Sequence, residues 1–177
     1  MSSPTDAIAD PRPRATLLTD QDAEPIPWST GLARLSEARF YWLATSTPDG
    51  RPHVRPVLAV WVDGAMHTTS HPEARKAINL AHEARCSLTV TTDGMDVAYE
   101  GRARRLTDHD DLERLSAAYL EKYGWPTTVV GDAFDAPYGA PTAGPPPYEP
   151  YRVEPTAVYA FGTDDELGPR STRWIFT

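Results

Sequence analysis

Residues 40–80 read FYWLATSTPDGRPHVRPVLAVWVDGAMHTTSHPEARKAINL, and this stretch decides the fold. Phe40 to Thr47 is rich in aromatic and β-branched residues. Phe40, Trp42 and Ala44 share one face of a strand and Tyr41, Leu43 and Thr45 the other, the two-sided apolar pattern of a barrel or sandwich strand. Pro48-Asp49-Gly50 turns the chain, since Pro presets φ and Gly accepts a positive one. His53 to Val62 reads as the second strand. Pro52 and Pro56 have no N–H for a ladder, so this strand belongs at an edge or carries a bulge. Asp63-Gly64 turns again, and Ala65 to Thr69 is the third strand.

Ser70-His71-Pro72-Glu73 has capping-box spacing and predicts a helix opening at Pro72. Ala74, Ala77, Ile78 and Ala81 form its apolar stripe, and its end is expected near Arg85. Arg75 and Lys76 then fall in the first turn, where the macrodipole opposes a cation by roughly 0.3–1 kcal/mol. An anion resolves the conflict: free N–H groups, the dipole and both cations converge on a phosphate. The hydroxyls and amides of Thr68, Thr69 and Ser70 just upstream are candidates for the same cradle. His53 and Arg55 share a strand face and are candidate cofactor contacts.

Outward from this stretch, residues 1–27 show no periodicity and read as an arm with little fixed structure of its own, with Leu17-Leu18 as a weak docking point. Residues 28–177 are expected to form one domain. Trp28 to Arg39 fits a short amphipathic helix capped by Ser29 or Thr30, with Gly31 counting against it. Cys86 to Thr92 and Met95 to Leu106 read as strands, and Thr107 to Tyr123 as a helix with acids in its first turn and Gly124 and Pro126 at its end. From about 127 to 150 the pattern gives way to a proline-rich loop. Tyr151 to Phe161 and Ser171 to Phe176 close the series as strands. The fold class is mainly β: an antiparallel barrel of six or seven strands with peripheral helices.

The bulk properties narrow the function. A net charge of −8 disfavours non-specific nucleic-acid binding. One cysteine, Cys86, excludes a disulfide framework and points to a cytoplasmic setting. No apolar run is long enough to span a membrane, and residues 1–27 lack the pattern of a secretory signal. No His or Cys pair has metal-ligand spacing, so no metal is expected. No nucleophile triad or dinucleotide fingerprint stands out, which leaves the catalytic residue unassigned.

Five pieces, taken together and in order, carry a family resemblance. They are Trp42-Leu43-Ala44-Thr45, Asp49 to Val57 (DGRPHVRPV), Arg75 to Leu80 (RKAINL), Glu100-Gly101-Arg102-Ala103, and Thr172-Arg173-Trp174-Ile175-Phe176. The chain resembles the pyridoxamine 5′-phosphate oxidase-like superfamily with its FMN-binding split β-barrel. Asn79-Leu80 and the Thr-Arg-Trp-x-Phe end make it most similar to the branch that uses the deazaflavin coenzyme F420. The resemblance implies a homodimer with cofactor sites at the subunit interface and a small-molecule substrate. It implies that Arg75, Lys76 and Asn79 lie at the cofactor phosphate and that the strand with Arg55, Pro56 and Val57 lines the ring. It also implies that the last strand, with Trp174, completes the partner's pocket. The expected activity is hydride transfer from reduced F420 to an electron-poor C=C or similar acceptor. The alternatives are an FMN-dependent oxidoreductase on the same fold, or a non-enzymatic deazaflavin, small-ligand or haem binder.

Overall fold

The computed structural model describes residues 12–19, 22–139 and 144–177. Its strands in chain order are β1 (Arg14–Leu17), β2 (Tyr41–Ser46), β3 (Pro52–Val57), β4 (Ala59–Val62), β5 (Ala65–Ser70), β6 (Arg85–Thr92), β7 (Met95–Arg105), β8 (Thr128–Val130), β9 (Ala133–Asp135), β10 (Glu149–Gly162) and β11 (Thr172–Ile175). The helices are α1 (Trp28–Glu37), α2 (Arg75–His82) and α3 (His109–Tyr123).

The main sheet runs β1-β11-β10-β7-β6-β2-β3, with β5 joined to β10 and β4 to β5, and every pairing is antiparallel. The long β10 makes this a split barrel. Its first half pairs β5 from Glu149 to Val153, its second half pairs β11 from Ala157 to Ala160, and its register with β7 slips between Pro155 and Ala157. Proline has no N–H for the ladder, so a break there costs no hydrogen bond that could have formed. The barrel interior is filled by side chains such as Tyr41, Leu43, Met66, Leu88, Tyr99 and Trp174. A second core, with Val60, Leu112, Tyr119, Trp125, Phe134 and Tyr148, packs α3 and the β8–β9 hairpin against β4.

The mainly β architecture and its hairpins are as the sequence predicts, while several local readings change. The arm is not free throughout: Arg14–Leu17 pairs with β11, and a sheet edge supplies the order that its own sequence lacks. Residues 1–11, the rest of that expectation's beginning, lie outside the described residues. The expected strand from His53 to Val62 is two strands interrupted at Leu58. The proline-rich stretch contains the short β8–β9 hairpin, turned at Gly131 with φ 63°. Trp125 and Tyr138 tie it to α3: the indole Nε1 donates to the Tyr138 carbonyl at 3.1 Å, and the Tyr138 hydroxyl to the Gly124 carbonyl at 3.0 Å. Helix α1 opens after Pro27 without a side-chain cap from Ser29 or Thr30. Helix α3 follows the reading closely. Asp108 caps it through the Asp111 N–H at 3.1 Å, and Gly124 ends it in the left-handed region at φ 64°.

Gly31 disfavours α1 by propensity, and the packing explains why it is there. A Cβ on Gly31 would lie 2.6 Å from the Trp174 ring. Trp174 is fully buried and meets Trp28 edge-on at 5.3 Å between ring centroids. Its ring therefore cannot retreat. Gly31→Ala should destabilise the protein by about 1–3 kcal/mol through overpacking, against the roughly 1 kcal/mol gain that helix propensity alone predicts. Urea denaturation of the two proteins decides between the signs.

His67 is the buried imidazole of the barrel wall. Burial, and secondarily the Arg152 guanidinium, bring its pKa from 6.5 down to about 4. The folded protein thus refuses a proton that the unfolded chain accepts below pH 6.5. Stability from this group is complete above that value and is lost as pH falls toward about 4, with a slope of at most about 1.4 kcal/mol per pH unit. Nδ1 lies 3.1 Å from the Ala65 carbonyl, a bond that an asparagine amide can copy. His67→Asn should flatten the fall in urea midpoint between pH 6.5 and 4.

Candidate functional site

The site begins at the free edge of the sheet. β3 pairs only with β2 among the described residues, as its two prolines require. His53 and Arg55 lie on the side of β3 that meets α2, and Pro56 lies at the edge. Together with Ala74, Arg75 and Lys76 they line a hollow of about 410 Å³.

The helix that faces β3 starts later than its sequence suggests. It opens at Arg75, with Ala74 at the N-cap position and no side-chain cap. The Ser70–Glu73 capping box does not form. The Ser70 hydroxyl donates to the His71 carbonyl at 3.0 Å, and the Glu73 N–H turns back to His71 Nδ1 at 3.2 Å. Arg75 and Lys76 are consequently the first two helical residues, and their N–H groups have no acceptor within the helix. Both cations therefore stand at the positive end of the dipole.

Arg55, Arg75 and Lys76 form no ion pair among the described residues. Arg55 donates to the Val54 carbonyl at 2.7 Å, folding back on its own strand. Lys76 is partly buried, and burial followed by the charge of Arg55 pushes its pKa down. His53 is pushed down by burial and then by Arg55, Arg75 and Lys76 in turn. Asp49 lies on the turn ahead of β3; its carboxylate is engaged by Arg51 at 2.8 Å and feels the charge of Arg75 only as the smallest of its influences. The hollow is thus a concentration of positive charge whose own chain does not neutralise it, with free backbone donors beside it. Such a site takes an anion with several oxygens.

The structure gathers only part of the expected set. His53, Arg55, Pro56, Arg75 and Lys76 come together. Val57 turns into the barrel core. Thr68 and Ser70 are buried, and the Thr68 hydroxyl donates to the Leu58 carbonyl at 3.0 Å, so β5 presents a wall rather than an open cradle. Thr69, half-buried on the same strand opposite Pro150, does not line the hollow either. Asn79 is on the inner face of α2, fully buried, and donates from Nδ2 to Thr45 Oγ1 at 2.9 Å. Trp174 packs in the core beside Trp28 and Gly31, so within one chain it serves the barrel and does not line the hollow. Thr45, named in the sequence reading only on a strand face and within the motif Trp42 to Thr45 and given no role there, supports the site from behind. It stands opposite His53 in the register, with its hydroxyl oxygen 3.4 Å from His53 Nδ1. Alternation along β2 puts Thr45 on the inner side, but which helix residue covers it is not local information.

The sequence pattern of the family described as pyridoxamine 5′-phosphate oxidase matches residues 31–161, a span that includes the whole hollow. The chain belongs to that family. No curated protein matches the chain in sequence. Among solved structures, the fold is similar to a conserved hypothetical protein of Mycobacterium tuberculosis. The two are 22% identical with a TM-score of 0.60, covering 81% of this chain and 90% of that one. It is also similar to a pyridoxamine 5′-phosphate oxidase-related, FMN-binding protein of Nostoc punctiforme, 20% identical with a TM-score of 0.54 over 85% of this chain and 90% of that one. A structure titled F420 reductase is 19% identical with a TM-score of 0.52, covering 71% of this chain and 93% of that one. At these identities the likeness is one of fold, and it agrees with the split barrel described above.

Proposed function

We propose that this member of the pyridoxamine 5′-phosphate oxidase family is an oxidoreductase that binds coenzyme F420 and passes hydride to an electron-poor C=C or similar acceptor. The observation that carries this reading is the trio Arg55, Arg75 and Lys76 around one hollow at an uncapped helix start, without a carboxylate partner. The residues fit a phosphate-bearing cofactor. Lys76 and the first N–H groups of α2 would hold the anionic tail, Arg55 would lie beside it on β3, and Pro56 would bound the ring. When bound, the cofactor supplies the hydride chemistry, and the protein supplies grip, orientation and polarity. Three positive charges suit a tail with more than one anionic group, which favours F420 over FMN. FMN is the second reading, because a split barrel of similar fold is named for binding it.

The same region suits a homodimer. The outward face of the sheet carries Trp42 at 55%, Val54 at 42% and Phe161 at 46% exposure. Pro56, at the hollow, stands opposite Trp42 in the register. An apolar sheet face continuous with a cofactor site suits a second copy that covers both.

Titration of the apoprotein with F420 and FMN side by side tests the cofactor assignment. Tighter binding of F420 is expected; tighter binding of FMN would move the assignment to the second reading, and binding of neither would remove both. Lys76→Ala should weaken the preferred cofactor more than tenfold, about 1.4 kcal/mol, and an unchanged Kd would take Lys76 out of the site. Trp42→Glu should convert the species seen by light scattering from dimer to monomer; a wild-type monomer would refute the assembly.

A further inference from the structure

The side chain of Asn79, an expected cofactor contact, faces inward with no exposed surface. What it does touch leads back to the hollow. Asn79 Nδ2 donates to Thr45 Oγ1 at 2.9 Å, so the hydroxyl oxygen is an acceptor there. The Thr45 hydrogen is then free to be donated. Two acceptors lie near it: the His53 carbonyl at 3.3 Å and His53 Nδ1 at 3.4 Å.

The sheet ladder bears on how the hydrogen is shared between them. Thr47 and Arg51 are a bonded antiparallel pair, with the Thr47 N–H on the Arg51 carbonyl at 2.9 Å. Bonded and non-bonded pairs alternate along such a ladder, so Thr45 and His53, two residues further on, are again a bonded pair. The His53 carbonyl therefore has a backbone donor already. Nδ1 does not, and the Thr45 hydroxyl, which also lies within reach of that carbonyl's second lone pair, is the nearest side-chain donor to it.

Burial and the charges around the ring set its protonation. Burial first, and then Arg55 on its own strand and Arg75 and Lys76 on α2, disfavour an imidazolium, against a smaller opposing pull from the backbone carbonyl of His53. A neutral imidazole carries one hydrogen, and accepting at Nδ1 places it on Nε2. Nε2 has no partner among the described residues, and His53 lines the hollow.

We propose that His53 donates a hydrogen bond through Nε2 to the anionic group held by Arg55, Arg75 and Lys76, and that Asn79, acting through Thr45, is the positioning residue that fixes this tautomer. The proposal rests on the functional reading above and adds a neutral donor to its three cations. It explains why a fully buried amide sits beneath the helix that carries the phosphate contacts. It also separates two roles that the sequence merges: Lys76 supplies charge, and His53 supplies direction.

Two measurements test it. Two-bond proton–nitrogen correlation NMR on nitrogen-15-labelled protein reads the His53 tautomer directly, with no cofactor needed. The Nε2–H form should dominate in the wild type at pH 7, and Thr45→Val should shift the ring toward Nδ1–H. Binding of F420 and FMN is then compared in His53→Gln and His53→Asn. The Gln amide nitrogen reaches the position of Nε2 and the Asn nitrogen that of Nδ1. His53→Asn should weaken the preferred cofactor by about tenfold or more, the loss of one hydrogen bond to a charged group, while His53→Gln should stay within about threefold of the wild type. An Nδ1–H ring in the wild type overturns the relay, as does His53→Asn binding as well as His53→Gln. Either result leaves a cofactor-binding wild type, and so the functional reading, intact. Failure of the wild type to bind F420 or FMN removes the reading itself and the donor role with it.

Discussion

Like charges repel, and this fold holds Arg55, Arg75 and Lys76 around one hollow with no ion pair to any of them among the described residues. The rest of the structure around the site follows from keeping them there. β3 must be an edge strand, because Pro52 and Pro56 cannot donate to a second neighbour. The edge leaves Arg55 accessible. The failure of the Ser70–Glu73 capping box moves the helix start to Arg75 and leaves its first N–H groups bare. Each feature is unfavourable by itself: an unprotected edge, an uncapped helix, and cations at the wrong end of a dipole. The anion proposed to bind there would relieve the last two.

The edge strand is anchored from behind. The link between β3 and β4 is Leu58–Ala59, and the last turns of α3 grip it. The Ala59 carbonyl accepts from the Tyr123 hydroxyl at 2.8 Å and from Lys122 Nζ at 3.0 Å, and the Ala59 N–H donates to the Tyr123 hydroxyl at 3.2 Å. Thr68 holds the Leu58 carbonyl from the other side. Lys122 also donates to the Tyr41 hydroxyl at 2.8 Å, and burial, ahead of the charge on Arg39, brings its pKa down to about 8. The Tyr41 ring 4.9 Å from Nζ favours the charged form, as a cation over an aromatic face does. Thus α3 and the second core fix the base of the strand whose tip carries Arg55. The proline-rich stretch, through its hairpin and Trp125, packs on the same helix.

Much of the architecture was legible because its signals are local. Turns at Pro48-Asp49-Gly50 and Asp63-Gly64, the Asp108 cap and the Gly124 stop depend on residues within a few positions of one another. The edge placement of β3 was legible because a proline lacks an N–H in any context. The misread elements share a different cause. Ser70 and Glu73 have the spacing of a cap, but β5 runs on through Ser70 to pair with β10 and draws Ser70 into the sheet. Arg14–Leu17 has no pattern, and it is ordered by a partner strand about 155 residues away in sequence. Gly31 reads as a helix breaker until the Trp174 ring is seen against it.

For the site, the residue types and the family followed from the sequence alone. Arg75-Lys76 after a strand, the Arg55-Pro56 edge and the ordered motifs carry chemistry that does not depend on knowing the neighbours. Which of those residues share a surface was settled only by tertiary structure. Helix periodicity is 100° per residue, so Lys76 and Asn79, three positions apart, stand only about 60° apart around α2, and which of them is covered depends on what packs against the helix. That is why Lys76 faces the hollow while Asn79 lies beneath it. Contacts between distant segments, such as Asn79 with Thr45 and Trp174 with Gly31, arise from packing in three dimensions, and no window of sequence contains both partners.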